Sequence, residues 1–340
     1  MRRSMLAFAV VALVACLGAV TFLSLSDVNS RNDGLNSDLT NLQENYESLH
    51  ERYYALLGNY SSLQYEYQNI LLQNPYALVP NPGASSVPNT QQMLARYQAL
   101  QQLYVNLLTE YNEYIESYQR LKEVTDQRLM QGELKSLITP DNPEIISLTY
   151  QLTGKPDNKT APDPDKYWED ITTMYNWVKE NVKYREDSLY PELPSSLSEA
   201  SFKELSMTDQ MAQLPNETLA LQMGDCEDYA ALLTSMIRAY FNKTYLVECI
   251  WITGANAGHV AVVIPFQREQ IAIIDPIRNY YSHDTLGNMG YNSISSEIYN
   301  WMNIWRPSLG NDVHVYRVFS DYMDKFFNGT EEYINWMYNR

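Results

Sequence analysis

From Leu35 to Ile70 the apolar positions fall in alternating steps of four and three, through Leu39, Leu42, Tyr46, Leu49, Tyr53, Leu56, Tyr60, Leu63 and Tyr67. A seam with that period stays on one side of an α-helix and predicts a coiled-coil helix over 30–74. Gly58 lies off the seam and weakens the helix only locally. Four prolines then crowd into NPYALVPNPGASSVPNT, residues 74–90. Proline lacks a backbone N–H and clashes with the preceding turn, so 75–90 reads as a linker that no helix crosses. A second seam, Met93, Tyr97, Leu100, Tyr104, Leu107, Tyr111, Tyr114, Tyr118 and Leu121, predicts a second coiled-coil helix over 91–136. Two arms about a proline-rich turn suggest an antiparallel hairpin of about 60 Å, at about 1.5 Å per residue. A parallel dimer through either arm is the alternative. Tyrosine packs a seam less tightly than leucine, so the pattern specifies the helices better than their partner, a second copy or another coiled-coil protein.

Ahead of the seams, Met5 to Leu25 is uncharged and mostly apolar, long enough to cross a bilayer. Arg2 and Arg3 precede it and Asp27 and Asp33 follow, which leaves residues 1–4 as a cytoplasmic tip and the bulk of the chain outside. The run therefore predicts a single-pass signal anchor at 5–25 in the cell membrane, with the C-terminal domain extracytoplasmic. A cleaved signal peptide and a lipobox-like LVAC ending at Cys16 are the rivals. No small-x-small site ends the run, and the chain stays apolar after Cys16. All three readings export the chain, and sequons at Asn59, Asn158, Asn216, Asn242 and Asn328 fit a glycoprotein.

Near 137 the seam pattern stops and the sequence becomes globular to residue 340. Helices are predicted near 143–153, 166–183 and 226–241, and strands near 245–253, 259–264 and 271–275. A looser tail holds a strand, 313–319, and a helix, 320–338. Helices first and an antiparallel sheet afterwards make an α+β domain. Composition narrows the function. The 24 Lys and Arg against 41 Asp and Glu give a net charge of −17, which excludes nucleic acid as a partner. Cys16 lies in the apolar run, so only Cys226 and Cys249 remain, too few for a disulfide-stapled fold.

One cysteine sits in an odd place. In MGDCEDYAALLTSMIRAY, residues 223–240, Asp225, Glu227 and Asp228 crowd Cys226, which should raise its pKa. Yet Gly224 ends the preceding loop, Asp225 is a good N-cap, and Asp228 three residues on makes a capping-box variant. Cys226 then takes the first helical position, where free N–H groups and the helix dipole favour a thiolate. Its own N–H would be half of an oxyanion hole. Of the four histidines, His50 is in the coiled coil, His283 in a polar loop and His314 in a late strand. His259 opens the strand HVAVVI, and the next strand, IAIID, ends at Asp275. A hairpin turning at Gln267 sets His259 directly opposite Asp275, about 5 Å apart at Cβ. That separation allows a hydrogen bond that fixes the imidazole tautomer, and a slip of one residue would abolish it. Singly, each feature has a structural reading: a packed cysteine or a Cys226–Cys249 disulfide, a Gly-His strand start, an Asp-Pro turn. The ordered set is more specific.

GDCEDYAALL, HVAVVI and IDP, with MYNWVKENVKYRED ahead of them, together resemble the core of the transglutaminase-like superfamily over roughly 165–280. GDCEDYA is most similar to the exported bacterial transglutaminase-like cysteine proteinases, although these have Asp-Asn where this chain has Asp275-Pro276. The resemblance implies a papain-like domain within 137–340, its central helix packed on an antiparallel sheet, with Cys226, His259 and Asp275 as the triad. His259 would take the thiol proton and Cys226 attack an amide carbonyl, with Gln222 a candidate oxyanion donor beside the Cys226 N–H. Water would resolve the thioacyl intermediate in a protease or amidase, and an amine in a crosslinking transglutaminase. No cofactor is required by this chemistry. Some related proteinases depend on calcium, for which Asp225 and Glu227 are the candidates here. The expectation is a membrane-anchored thiol enzyme acting on protein or peptide amide bonds, hydrolysis before crosslinking. The rival is a non-enzymatic surface binding protein on a coiled-coil stalk, which a Cys226–Cys249 disulfide would favour.

Overall fold

The computed structural model describes residues 87–155, 160–195, 206–266 and 269–340, with scattered helical positions between 48 and 65. The predicted anchor and most of the first coiled-coil helix lie outside the described residues. Among those described, no helix is long and apolar enough to cross a membrane. The chain divides into two compact units, Met1–Glu123 with Leu193–Leu205, and Val124–Glu192 with Ser206–Arg340.

The first unit contains most of helix α1 (Val87–Arg128). It starts inside the predicted linker, because Pro88 falls in the first turn, where a missing N–H has no helical partner to lose. Its seam is the covered side: Leu107, Tyr118 and Leu121 are buried, whereas Leu103 and Val105 are exposed. The Tyr118 hydroxyl donates to the Pro194 carbonyl at 2.7 Å. The helix ends at Arg128, short of the predicted 136. Met130 adopts a left-handed backbone (φ 59°), and the N–H groups of Gln131 and Gly132 fold back onto the Asp126 carbonyl.

The second unit opens with a 3-10 turn at Lys135–Leu137, then α2 (Pro143–Thr153) and α3 (Tyr167–Asn181). The Asn142 side chain caps α2 by accepting from the Glu144 N–H at 2.9 Å, and Gly154 closes it with φ 68°. Short strands β1 (Lys183–Tyr184), β2 (Tyr190–Pro191) and β3 (Met207–Thr208) precede α4 (Pro215–Leu221), β4 (Met223–Gly224) and α5 (Cys226–Tyr240). Then come β5 (Glu248–Thr253), β6 (Gly258–Phe266), β7 (Gln270–Asp275), β8 (Tyr280–Tyr281), β9 (Asn292–Ser293) and α6 (Ile294–Leu309). The chain finishes with β10 (His314–Ser320), β11 (Met323–Phe326) and α7 (Thr330–Tyr338). Strands β11-β10-β5-β6-β7-β8 form one antiparallel sheet, with β9 on β7. The predicted α+β arrangement holds, with two differences. The expected helix over 320–338 is β11 followed by α7, and α4 and α6 were not foreseen.

Strand alternation divides the core in two. Val260, Val262, Ile264, Ala272 and Ile274 face the cluster built by α2, α3 and α5. Ala261, Val263, Ile271 and Ile273 face the other, built by α6 and α7. Helix α5 is central: from Glu227 to Tyr240 every residue is buried. A second anchor ties the segment after α1 to the sheet. Arg317 on β10, 2% exposed, bonds Asp324 with Nε and Nη2 and donates to the carbonyls of Met130 and Gly132. Asp324 also accepts the Leu134 N–H at 2.7 Å. Removing one partner of a buried ion pair typically costs about 3–5 kcal/mol. Arg317→Ala is expected to lower unfolding free energy in urea by that amount; a loss below about 1 kcal/mol would mean the segment is held by other contacts.

Candidate active site

The ladder between β6 and β7 runs from Phe266 opposite Gln270 to Val262 opposite Ile274. The predicted pairing is therefore shifted by two residues: Val263 faces Ile273, where Ile271 was expected. An even shift keeps every side chain on its face, so His259 and Asp275 stay together as a diagonal pair. The imidazole spans the extra distance, and His259 Nε2 lies 2.8 Å from Asp275 Oδ2.

Two tryptophans complete this half of the site. The indole N–H groups of Trp301 and Trp305, one turn apart on α6, each donate to the same Asp275 Oδ2 at 2.9 Å. Asp275 Oδ1 accepts the Ile277 N–H at 3.1 Å. Trp305 also stacks on the His259 ring, centroids 3.6 Å apart and planes 25° apart. Asp275 has no exposed surface. Burial pushes its carboxyl up, but the imidazole charge and the His259, Trp301 and Trp305 hydrogen bonds outweigh it and hold the group below the ordinary range.

Cys226 comes from the other face of the sheet, at the first position of α5. The backbone N–H of Val260, the residue after His259, favours its thiolate form. Its thiol donates to Glu227 Oε2 at 3.2 Å. Nε2 is engaged by Asp275, and among the described residues no hydrogen bond joins the imidazole to the Cys226 sulfur. Among the described residues the thiol's hydrogen bond goes to Glu227. Asp225 is the N-cap as expected, its N–H donating to Asp228 Oδ2 at 3.2 Å. Gly224 is required by this packing, since a Cβ there would meet Asp228 Oδ2 at 2.4 Å.

The carboxyls dominate the thiol's surroundings. Burial, then the charges of Glu227 and Asp225, push the Cys226 thiol well above the ordinary cysteine range, against the Val260 N–H. This reverses the expected thiolate. Burial and Glu227 likewise raise Asp225, Asp228 and Asp187, the last to about 7. Tyr184 on β1 is close enough for Cys226 and Asp225 to raise its phenol, after burial. Gln222 ends α4 in a left-handed conformation (φ 52°), exposed, its carbonyl accepting the Lys183 N–H; among the described residues no side-chain bond brings it to the thiol. Both thiols are free: Cys249 is buried in the core, 3.3 Å from the Thr234 hydroxyl. The disulfide that would favour a binding module is not formed.

Residues 158–284 match the profile of a family described as a transglutaminase-like domain. The chain carries a transglutaminase-like domain. That match supports a papain-like thiol enzyme family for the domain. No curated protein matches the sequence. The matched stretch of the transglutaminase-like domain contains Cys226, His259 and Asp275 and ends before α6. Trp301 and Trp305 were missed in the sequence because neither belongs to a motif; their one trace is a four-residue spacing in an apolar helical stripe. One donor atom each of Asp225, Cys226 and Glu227 lie within 4.8 Å of one another. Calcium takes six to eight oxygen ligands, and this set offers two carboxyls, bonded to each other, beside a sulfur. The donors do not fit that ion.

Asp187 carries a test. It binds its proton more tightly folded than unfolded, so it destabilises the fold as pH rises from its ordinary value of 3.8 toward 7. Asp187→Asn mimics the protonated form. It is expected to raise unfolding free energy by about 2–4 kcal/mol at pH 8 and by under about 1 kcal/mol at pH 4. An equal effect at both would show that the proton is not the cause.

Proposed function

We propose that the chain is a membrane-anchored, extracytoplasmic thiol hydrolase that cleaves protein or peptide amide bonds through Cys226, His259 and Asp275. The observation that carries this reading is the 2.8 Å His259–Asp275 bond, on the strand whose Val260 packs in the same cluster as Cys226. The uncharged run from Met5 to Leu25 behind Arg2 and Arg3 supports the anchor.

The thiol starts neutral, so attack and proton transfer belong to one step. Cys226 attacks the amide carbonyl while His259 Nδ1 takes the thiol proton, and ionised Asp275 stabilises the imidazolium. The Cys226 backbone N–H and the Tyr184 phenol stabilise the oxyanion, with the Gln222 amide the second candidate. The amine leaves with the proton from His259, giving a thioacyl-enzyme. Water, deprotonated by His259, then releases the acid and restores the thiol. No step needs a cofactor.

One observation favours a second outcome, transfer to an amine. Asp187, Asp225, Glu227 and Asp228 make the thiol's surroundings acidic, which raises the local concentration of protonated amines. The intact chain would be given fluorescent casein with and without dansylcadaverine, beside Cys226→Ala, His259→Ala and Glu227→Gln. Release of fluorescent peptides, or dansyl incorporation, is expected to fall at least about 100-fold in the first two variants. Glu227→Gln is expected to speed iodoacetamide alkylation of Cys226 several-fold at pH 7. Turnover of both kinds that survives Cys226→Ala would end the reading.

A further inference from the structure

We infer that Trp301 and Trp305 are positioning residues of the catalytic triad, selecting the imidazole tautomer of His259 through the Asp275 carboxylate. The inference rests on the reading of Cys226, His259 and Asp275 as catalytic. An indole N–H is a donor only. Two of them, from Trp301 and Trp305, load Asp275 Oδ2 at 2.9 Å each, on the oxygen that meets His259 Nε2 at 2.8 Å. The Ile277 N–H occupies Oδ1. With three donors converging on Oδ2, that oxygen has no lone pair left for a proton, so the proton of the His–Asp bond sits on Nε2. That leaves Nδ1 bare, as the base the thiol needs. Trp305 adds orientation, its ring stacked on the imidazole at 3.6 Å, with the Arg278 guanidinium over it at 4.7 Å. Both tryptophans lie beyond the family-matched stretch, so the site is incomplete without α6. The opposing view is that Asp275 merely satisfies two buried indoles, and the tautomer separates the two.

The test replaces each tryptophan of the intact chain by β-(3-benzothienyl)alanine, which keeps the indole shape and lacks the N–H, alongside Trp301→Phe and Trp305→Phe. Nitrogen-15 shifts of the His259 ring read the tautomer at a pH where the ring is neutral. The native chain is expected to show a single Nε2–H form. The benzothienyl chains are expected to mix both forms, with kcat lower by about 10–100-fold and KM unchanged. A single unmoved tautomer in folded benzothienyl chains would overturn the inference, whatever happens to the melting temperature. The tautomer is read without turnover, so a mixed tautomer in a chain whose native form has no activity would uphold the positioning role and sink the proposed enzyme instead.

Discussion

Asp275 has no exposed surface, and a carboxylate removed from water stays ionised only where other donors replace the lost solvent. Those donors come from three places in the chain: His259 on β6, Ile277 just after β7, and Trp301 and Trp305 on α6. The register of β6 on β7 decides whether the imidazole is on the right face, and the packing of α6 decides whether the indoles reach. Charge at one atom thus constrains a strand pairing, a turn and a helix more than 25 residues downstream.

Around Cys226 the balance is reversed. Asp275 is oversupplied with donors, while burial and the neighbouring Glu227 raise the proton affinities of Asp187, Asp225 and Asp228. Environments that push neighbouring groups apart in this way mark a division of labour. Asp275 is held ionised beside His259, while burial and the neighbouring carboxyls push the Cys226 thiol up.

Much of this was legible in the sequence because it depends on local rules. The cap at Asp225, the helix starting at Cys226, the strand start near His259 and the strand end at Asp275 follow from residue type and spacing. The register did not, because a loop one residue long or three leaves the same alternation of Val, Ile and Ala; only the parity was readable, and parity was enough to keep the pair together. Helix α6 was hidden by Pro307 near its end and by polar residues on its outer side, although Ile294, Ile298, Trp301, Trp305 and Leu309 recur at helical spacing. The early stop of α1 rests on Met130 entering a left-handed conformation, which a methionine does not announce. Tyr184 comes near enough to feel the Cys226 charge by way of the parallel pairing of β1 with β4, between segments about 40 residues apart.

The sequence-level expectation of a thiolate failed for a reason that magnitudes make plain. A helix dipole acts as about half a charge and is worth about 0.3–1 kcal/mol at an exposed terminus. A full charge at about 4 Å and an effective dielectric of about 20 is worth about 4 kcal/mol, and Glu227 accepts the thiol hydrogen bond directly. One adjacent carboxylate therefore overrides the dipole, before burial adds to it. A thiol that is not ionised in advance needs its base poised at the moment of attack, with the lone pair already on the nitrogen facing it. That demand falls on the tautomer of His259. The tautomer is set at the other end of the ring, by the carboxylate that Trp301 and Trp305 hold.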